Sequence, residues 1–326
     1  EEISRVFGYA RIPSSEPAIK PCVGVREKRD SVSAIKNILV GLGLNEVITY
    51  SLTDKAGLNS LGLEFSASAI EIMNPLSQEQ EVLRPTLILG LGRAVGLNLN
   101  QKQDYVSVFE VANIFLGEEK PREELTLGVA LSGTKSLLFG QGAVKDEASL
   151  LHLKGIIETV FFKLGIRDYE FSSRGAYIVD ISIQKEKVGL MSKFSAQALN
   201  KLNIKNKDVF ALEVSLDRVL SFASLGRKFT PLPKYPGIIR DISFVLKEDL
   251  ALKEVLALLK EKGQPFLRDV SITDYYKGKQ IPLGYRGLTV ACLYASNERT
   301  LAEEEIRPAH NLVCEALTQQ FGVKIR

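Results

Sequence analysis

Apolar residues recur at helical spacing over residues 27–43, where Val32, Ile35, Ile38, Leu39 and Leu42 form one stripe, closed by Gly41 and Gly43. The pattern then changes period. Glu46–Leu52 and Ala69–Met73 read as strands, while Leu87–Leu99, after Arg84-Pro85, returns to the helical repeat. Strands follow at Val106–Phe115 and Leu125–Ser132, and the small residues of Ser136–Asp146 read as a loop. Leu150–Leu164 is a helix by its stripe of Leu153, Ile156, Ile157, Val160 and Leu164. Strands at Tyr169–Phe171, Tyr177–Ile183 and Lys187–Met191, a short helix at Ala196–Leu202 and a strand at Val209–Val214 complete this stretch. Helices and strands interleave without a strict βαβα rhythm, which favours an antiparallel α+β fold over a doubly wound sheet.

A second pattern starts after the prolines and glycine of Thr230-Pro231-Leu232-Pro233 and Tyr235-Pro236-Gly237, which stiffen a linker. Ile238–Leu246 reads as a strand with Ile242, Phe244 and Leu246 on one face. A helix at Leu252–Lys262, strands at Leu267–Tyr276 and Gly287–Tyr294, a helix at Leu301–Phe321 and a strand at Val323–Ile325 complete a βαββαβ unit. Thr300 with Glu303 has the spacing of a capping box opening the last helix. The expected domains are an end piece and linker over 1–24, a large module over 25–222, a linker over 223–237 and a small unit over 238–326.

Composition narrows the function. The chain has 326 residues, 45% hydrophobic and 25% charged, ample for real cores. Its net charge is only +3, and residues 229–326 carry 14 Lys and Arg against 12 Asp and Glu, so any nucleic-acid contact must rest on a few placed side chains. Cys22, Cys292 and Cys314 have no metal-ligand spacing and read as thiols of a reducing compartment. Only His152 and His310 are present, leaving little scope for a zinc site or a histidine-based triad. No apolar run reaches the length of a membrane span, and the first residues do not read as a signal peptide. With no initiating Met, the sequence reads as a piece of a longer cytoplasmic chain.

The βαββαβ order is shared with the RNA-recognition motif, which stacks bases on aromatics of its third strand. Here Leu288 and Val290 of that strand are aliphatic, which lowers that reading. Other strings, taken in order, carry a closer resemblance. Glu1–Pro13, Leu42–Leu52, Asn74-Pro75-Leu76-Ser77, Leu83-Arg84-Pro85-Thr86-Leu87, Val108-Phe109-Glu110-Val111, Leu153-Lys154-Gly155, and Pro236 with Arg240-Asp241 together resemble the C-terminal part of bacterial phenylalanine–tRNA ligase beta subunits. The resemblance covers the whole chain. It implies a class II synthetase-like module without working catalytic motifs, followed by a ferredoxin-like anticodon-binding domain.

The resemblance also implies partners. A catalytic alpha subunit would use ATP to charge tRNA for phenylalanine, in a heterotetramer of two alpha and two beta chains, with helix 27–43 at a subunit interface. A class II active site needs an Arg to grip ATP phosphate. Leu116 stands at the comparable place here, and Gly90-Leu91-Gly92-Arg93 reads as close helix packing rather than a phosphate loop. Glu1 and Glu2 correspond to two carboxylates of a Mg²⁺ site, whose further acidic ligands belong upstream, as does an editing domain. For the anticodon, Tyr235, Tyr275 and Tyr276 are candidates for stacking, and Arg240, Lys277 and Arg286 for phosphates or base edges. Arg240 and Asp241 could instead form an ion pair within the domain. The competing function is a free-standing RNA-binding or scaffold protein built from the same modules.

Overall fold

The computed structural model describes residues 1–15, 27–63, 69–117, 120–139, 142–175, 177–224, 234–278 and 281–325, with only the backbone given at 27–29, 137–139 and 142–144. The proline-rich connectors expected within 1–24 and 223–237 fall largely on 16–26 and 225–233, outside the described residues. The chain divides into two units, Glu1–Arg227 and Lys228–Arg326.

In the first unit, α1 (Glu2–Phe7) precedes α2 (Glu27–Gly41). The single strand expected over Glu46–Leu52 is broken into β1 (Asn45–Glu46) and β2 (Leu52–Thr53). The break has a polar cause. Val47 N–H still donates to Phe109 O at 2.9 Å, but at Thr49 the backbone N–H and hydroxyl turn to the Glu110 carboxylate, at 3.2 and 2.7 Å. Next come α3 (Lys55–Ser60) and β3 (Val82–Leu83). The strand expected at Ala69–Met73 is reduced to one bridge, Glu71 with Val82.

The remaining elements of this unit are α4 (Ile88–Asn100), β4 (Tyr105–Leu116), β5 (Arg122–Phe139), β6 (Gly142–Glu147), α5 (Leu150–Lys163), β7 (Tyr169–Ser173), β8 (Ile178–Ile183), β9 (Glu186–Lys193), α6 (Ala196–Lys201), β10 (Val209–Ser215) and α7 (Leu216–Ser221). The loop expected at Ser136–Asp146 is instead a hairpin, paired from Thr134 with Glu147 to Phe139 with Gly142. Backbone pairing needs no apolar side chain, so small residues conceal it from a hydrophobic pattern.

The main sheet runs β1-β4-β5-β10-β9-β8-β7, antiparallel except where β1 lies beside β4. Helices cover both faces. On one, Ile35 and Leu39 of α2 and Leu153, Ile157 and Val160 of α5 meet Leu127, Val129, Leu212 and Val214. On the other, Leu91 and Val95 of α4 meet Val108, Ala130, Val209 and Ala211. With a helical layer on each side, all seven residues of β10 are buried. Helix α4 lies close to the sheet because Gly128 of β5 has no side chain, and a Cβ there would fall 2.6 Å from Leu91 Cδ1. Gly90 and Gly92 face Thr49 and Phe194 in the same way, so the Gly90–Arg93 string serves packing.

Two buried polar clusters join these layers. Arg84 donates to Glu110 Oε1 at 2.9 Å, to Thr49 O at 3.2 Å and, through Nε, to Asn113 O at 3.1 Å. Glu213, alternating onto the α4 side of β10, accepts from Thr86 Oγ1 at 2.7 Å and Leu87 N–H at 2.6 Å.

The second unit is βαββαβ as expected: β11 (Ile238–Lys247), α8 (Leu252–Lys262), β12 (Leu267–Tyr276), β13 (Tyr285–Tyr294), α9 (Glu303–Phe321) and β14 (Lys324–Ile325). The strands pair antiparallel in the order β12-β13-β11-β14. Ile242, Phe244, Leu288 and Val290 on one sheet face bury against Val255 and Leu259 of α8 and Ile306, Val313 and Leu317 of α9. Helix α9 opens at Glu303 rather than at Leu301, and Thr300 is not its cap. Glu305 does that work. Its carboxylate accepts from Ala302 N–H at 2.9 Å, and the Arg299 guanidinium beside it holds its pKa down to about 2.

Candidate nucleic-acid interface

The register of the small sheet sorts its side chains into two faces. Partners directly across an antiparallel pair share a face. Ile242 pairs with Val290 and Phe244 with Leu288, and these rows face the helices. The alternate rows face away: Ser243 pairs with Thr289, which pairs with Asp274, and Val245 pairs with Gly287, which pairs with Tyr276. Among the described residues no helix of this unit covers that second face. There Ser243, Asp274, Tyr276, Gly287 and Thr289 border a cleft of about 550 Å³. The Ser243 and Thr289 hydroxyls lie 2.9 Å apart, each able to donate or accept. Gly287 has no side chain on the floor, and Ile281 Cδ1 lies 3.3 Å from where its Cβ would be, beside the half-exposed Tyr276 ring. A flat ring, a carboxylate and two hydroxyls around a hollow match the face and edge of a nucleobase.

The six residues singled out from the sequence do not share this face. Tyr276 lies on it. Tyr275 pairs with Leu288, so it belongs to the helix side and is exposed along the free edge. Arg240 pairs across with Cys292 on the helix side, and its guanidinium forms an ion pair with Glu303 of α9 rather than with Asp241. Arg286 is also on the helix side and donates to Leu250 O in the turn before α8. Lys277 follows the end of β12, with Nζ 2.9 Å from Glu248. Tyr235 is half-buried in the segment leading into β11. Leu288 and Val290 face the helices, so Tyr285, Gly287, Thr289 and Ala291 are what β13 offers a base, and the one aromatic among them, Tyr285, stands at the start of the strand.

Asp274, Ser243 and Thr289 were not among the sequence candidates. A signal for them exists: the apolar residues Leu267, Val270, Ile272 and Tyr275 of β12 are spaced by three, two and three. Each spacing of three coincides with a bulge, between Leu267 and Asp269 and between Ile272 and Asp274. Those bulges fix which residues look outward.

A family model described as Phenylalanyl tRNA synthetase beta chain CLM domain matches residues 12–216. The chain belongs to that beta-chain family. A second model, the ferredoxin-fold anticodon binding domain, matches residues 233–326 and contains the whole small sheet. Among curated beta-chain relatives, phenylalanine–tRNA ligase beta subunits of Carboxydothermus hydrogenoformans and Geobacillus kaustophilus are 29% and 30% identical over all of this chain. That of Bacillus subtilis is also 30% identical over the full chain. The chain spans 41–42% of the length of these relatives. A solved pyrrolysyl tRNA synthetase from Desulfitobacterium hafniense aligns with a TM-score of 0.48 at 16% identity, over 61% of this chain and 71% of that one, a likeness too slight to carry weight.

In this beta-chain unit, the two arginines before and within α4 are engaged internally. Arg84 is paired with Glu110, and Arg93 with Asp54, the cap of α3. Leu116 lies half-buried against the core beneath α4. Glu1 and Glu2 sit at the exposed start of α1, where Glu2 is bound by Arg5 at 2.7 Å. Two such carboxylates do not complete an octahedral magnesium shell, and the described residues contain no group of three or more His, Cys, Asp or Glu placed to hold a metal. No helix among the described residues is long and apolar enough to cross a membrane.

Proposed function

We propose that this chain is the part of a phenylalanine–tRNA ligase beta subunit that binds the tRNA anticodon and joins the catalytic alpha subunit, performing no chemistry itself. The observation that carries this reading is the open sheet face of the anticodon-binding domain, with Tyr276, Asp274, Ser243 and Thr289 around one cleft. An unpaired anticodon base stacks on Tyr276. Asp274 accepts from its amino or imino N–H, and the two hydroxyls adapt to the remaining edge. Lys277 and Arg240 reach phosphates by exchanging Glu248 and Glu303, since exposed pairs of this kind contribute only ~0–1 kcal/mol. Tyr235, Tyr275 and Arg286 act from outside that face, at its rim or by holding the Leu250 turn.

Tyr276→Ala is expected to raise the Kd for tRNA for phenylalanine by roughly 5- to 150-fold, the loss of about 1–3 kcal/mol of stacking. Thermal unfolding should not change, because the ring is exposed. Unaltered affinity would remove the open face from the site. In the same titration, Arg240→Ala and Lys277→Ala should flatten the salt dependence.

Leu116 in place of a phosphate-gripping cation supports a chain that leaves ATP and Mg²⁺ chemistry to the alpha subunit. Ile48, Tyr50, Met73 and Leu76 of the large unit are almost fully exposed, which supports a partner on that unit. Co-expression with an alpha subunit should give a light-scattering mass of two alpha and two beta chains in a cytoplasmic enzyme. Failure to associate would favour a free-standing RNA-binding or scaffold protein instead.

A further inference from the structure

We propose that the large unit holds a second RNA contact, a lysine- and amide-lined cleft at the end of α4 that binds phosphodiester backbone. The inference rests on the tRNA-binding reading above. Its residues come from two distant turns, Asn98-Leu-Asn-Gln-Lys-Gln-Asp104 and Asn200-Lys-Leu-Asn-Ile-Lys-Asn-Lys207. Both are rich in amides and lysine and contain no aromatic residue. Glycine brings them together. Gly96 of α4 faces the second turn, where a Cβ would lie 3.1 Å from Leu202 O and 3.2 Å from Ile204 Cγ1, and Gly92 likewise makes room for Leu202. Buried Ile204 anchors the turn in the core below.

The result is a cleft of about 530 Å³ lined by Lys102, Lys205 and Lys207 with Asn100, Gln103 and Asn203, against one acid, Asp104. Among the described residues the three lysine side chains have no hydrogen-bonding or ion-pair partner. The next residue, Asp208, is held by Lys193 at 2.8 Å. Three free ammonium groups and three amides facing one hollow suit phosphate oxygens and 2′-hydroxyls, and the lack of an aromatic argues against a base-stacking site.

Lys102 adds a second observation. It follows Gln101, the C-cap of α4, with φ of +65°, where glycine or asparagine is the unstrained choice. A lysine at that position goes against the local backbone preference, and its ammonium serves the cleft.

The test uses the holoenzyme of full-length chains. Affinity for tRNA is measured against salt for Lys102→Gly, for Lys205→Gln with Lys207→Gln, and for the triple variant. The slope of log affinity against log salt should shrink by about 0.7–0.9 per lysine, about 2.1–2.7 for the triple variant. Lys102→Gly should unfold no earlier than the parent while binding less tightly, which separates binding from folding. Tyr276→Ala, run in parallel, should weaken binding with the slope unchanged. Loss of the slope with an inert Tyr276→Ala would keep the cleft and sink the anticodon-face reading. An unchanged slope in the triple variant would overturn the cleft. So would protection of these lysines from acetylation by the alpha subunit alone or by inorganic phosphate alone, with no further protection by tRNA.

Discussion

Arg84→Met should destabilise the large unit by about 3–5 kcal/mol, because it strands the Glu110 carboxylate in the interior. Glu110 is 2% exposed, and its ionic partner among the described residues is the Arg84 guanidinium. The Thr49 N–H and hydroxyl would remain as donors, too few to stabilise a full buried charge. The same arginine fastens Thr49 O and Asn113 O, so the segment between β1 and β2 loses its tether to β4 as well. In calorimetry the transition of this unit should fall by roughly 6–20 °C, given about 2–4 °C per kcal/mol for a unit of this size. Adding Glu110→Gln to Arg84→Met should recover more than half of it, since the amide keeps an acceptor for Thr49 and carries no charge. A fall of under 1 kcal/mol in the single variant would show that the pair contributes nothing net.

Glu213 predicts a pH dependence of stability. Burial between β10 and α4 pushes its pKa up to about 7 from 4.5, against the bonds from Thr86 and Leu87 that favour the charged form. The folded chain therefore binds a proton between pH 4.5 and 7 that the unfolded chain has released. This group's contribution is full below pH 4.5, falls as pH rises through about 7, and stays low above it. The difference, 7 minus 4.5, corresponds to on the order of 3 kcal/mol. Glu213→Gln removes the titration and keeps an acceptor for Thr86 and Leu87. Denaturant unfolding of both chains from pH 4.5 to 8 should show the stability of the Gln chain relative to the parent rising with pH by that amount. Other titrating groups cancel in the comparison, so a flat difference would refute a raised carboxyl at this position.

What the sequence made legible follows from what each element asks of its residues. The stripes of α2, α5, α8 and α9 are long enough to stand out, because a helix packed on one side repeats its apolar residues many times. The short pieces around Thr49 were not legible. Their course is set by a buried carboxylate some 60 residues away, and no local period records it. The β5–β6 hairpin was hidden because Gly140, Gly142 and Ala143 interrupt any alternation of apolar and polar residues there. In the candidate site, Tyr276 could be picked as an exposed aromatic. Its separation from Tyr275, Arg240 and Arg286 by the thickness of the sheet depends on register, which the two bulges of β12 set. Arg240 looked available because its partner, Glu303, lies 63 residues on in sequence.

Those bulges also bear on solubility. β12 ends the sheet on one side and so leaves a row of backbone donors and acceptors unsatisfied by any neighbour, the kind of margin onto which a strand from another molecule can zip. Two interruptions of its pleat, together with the charges of Arg268, Asp269 and Asp274, leave no long flat stretch for such a stranger to copy. A sheet margin built on a continuous ladder would have invited self-association.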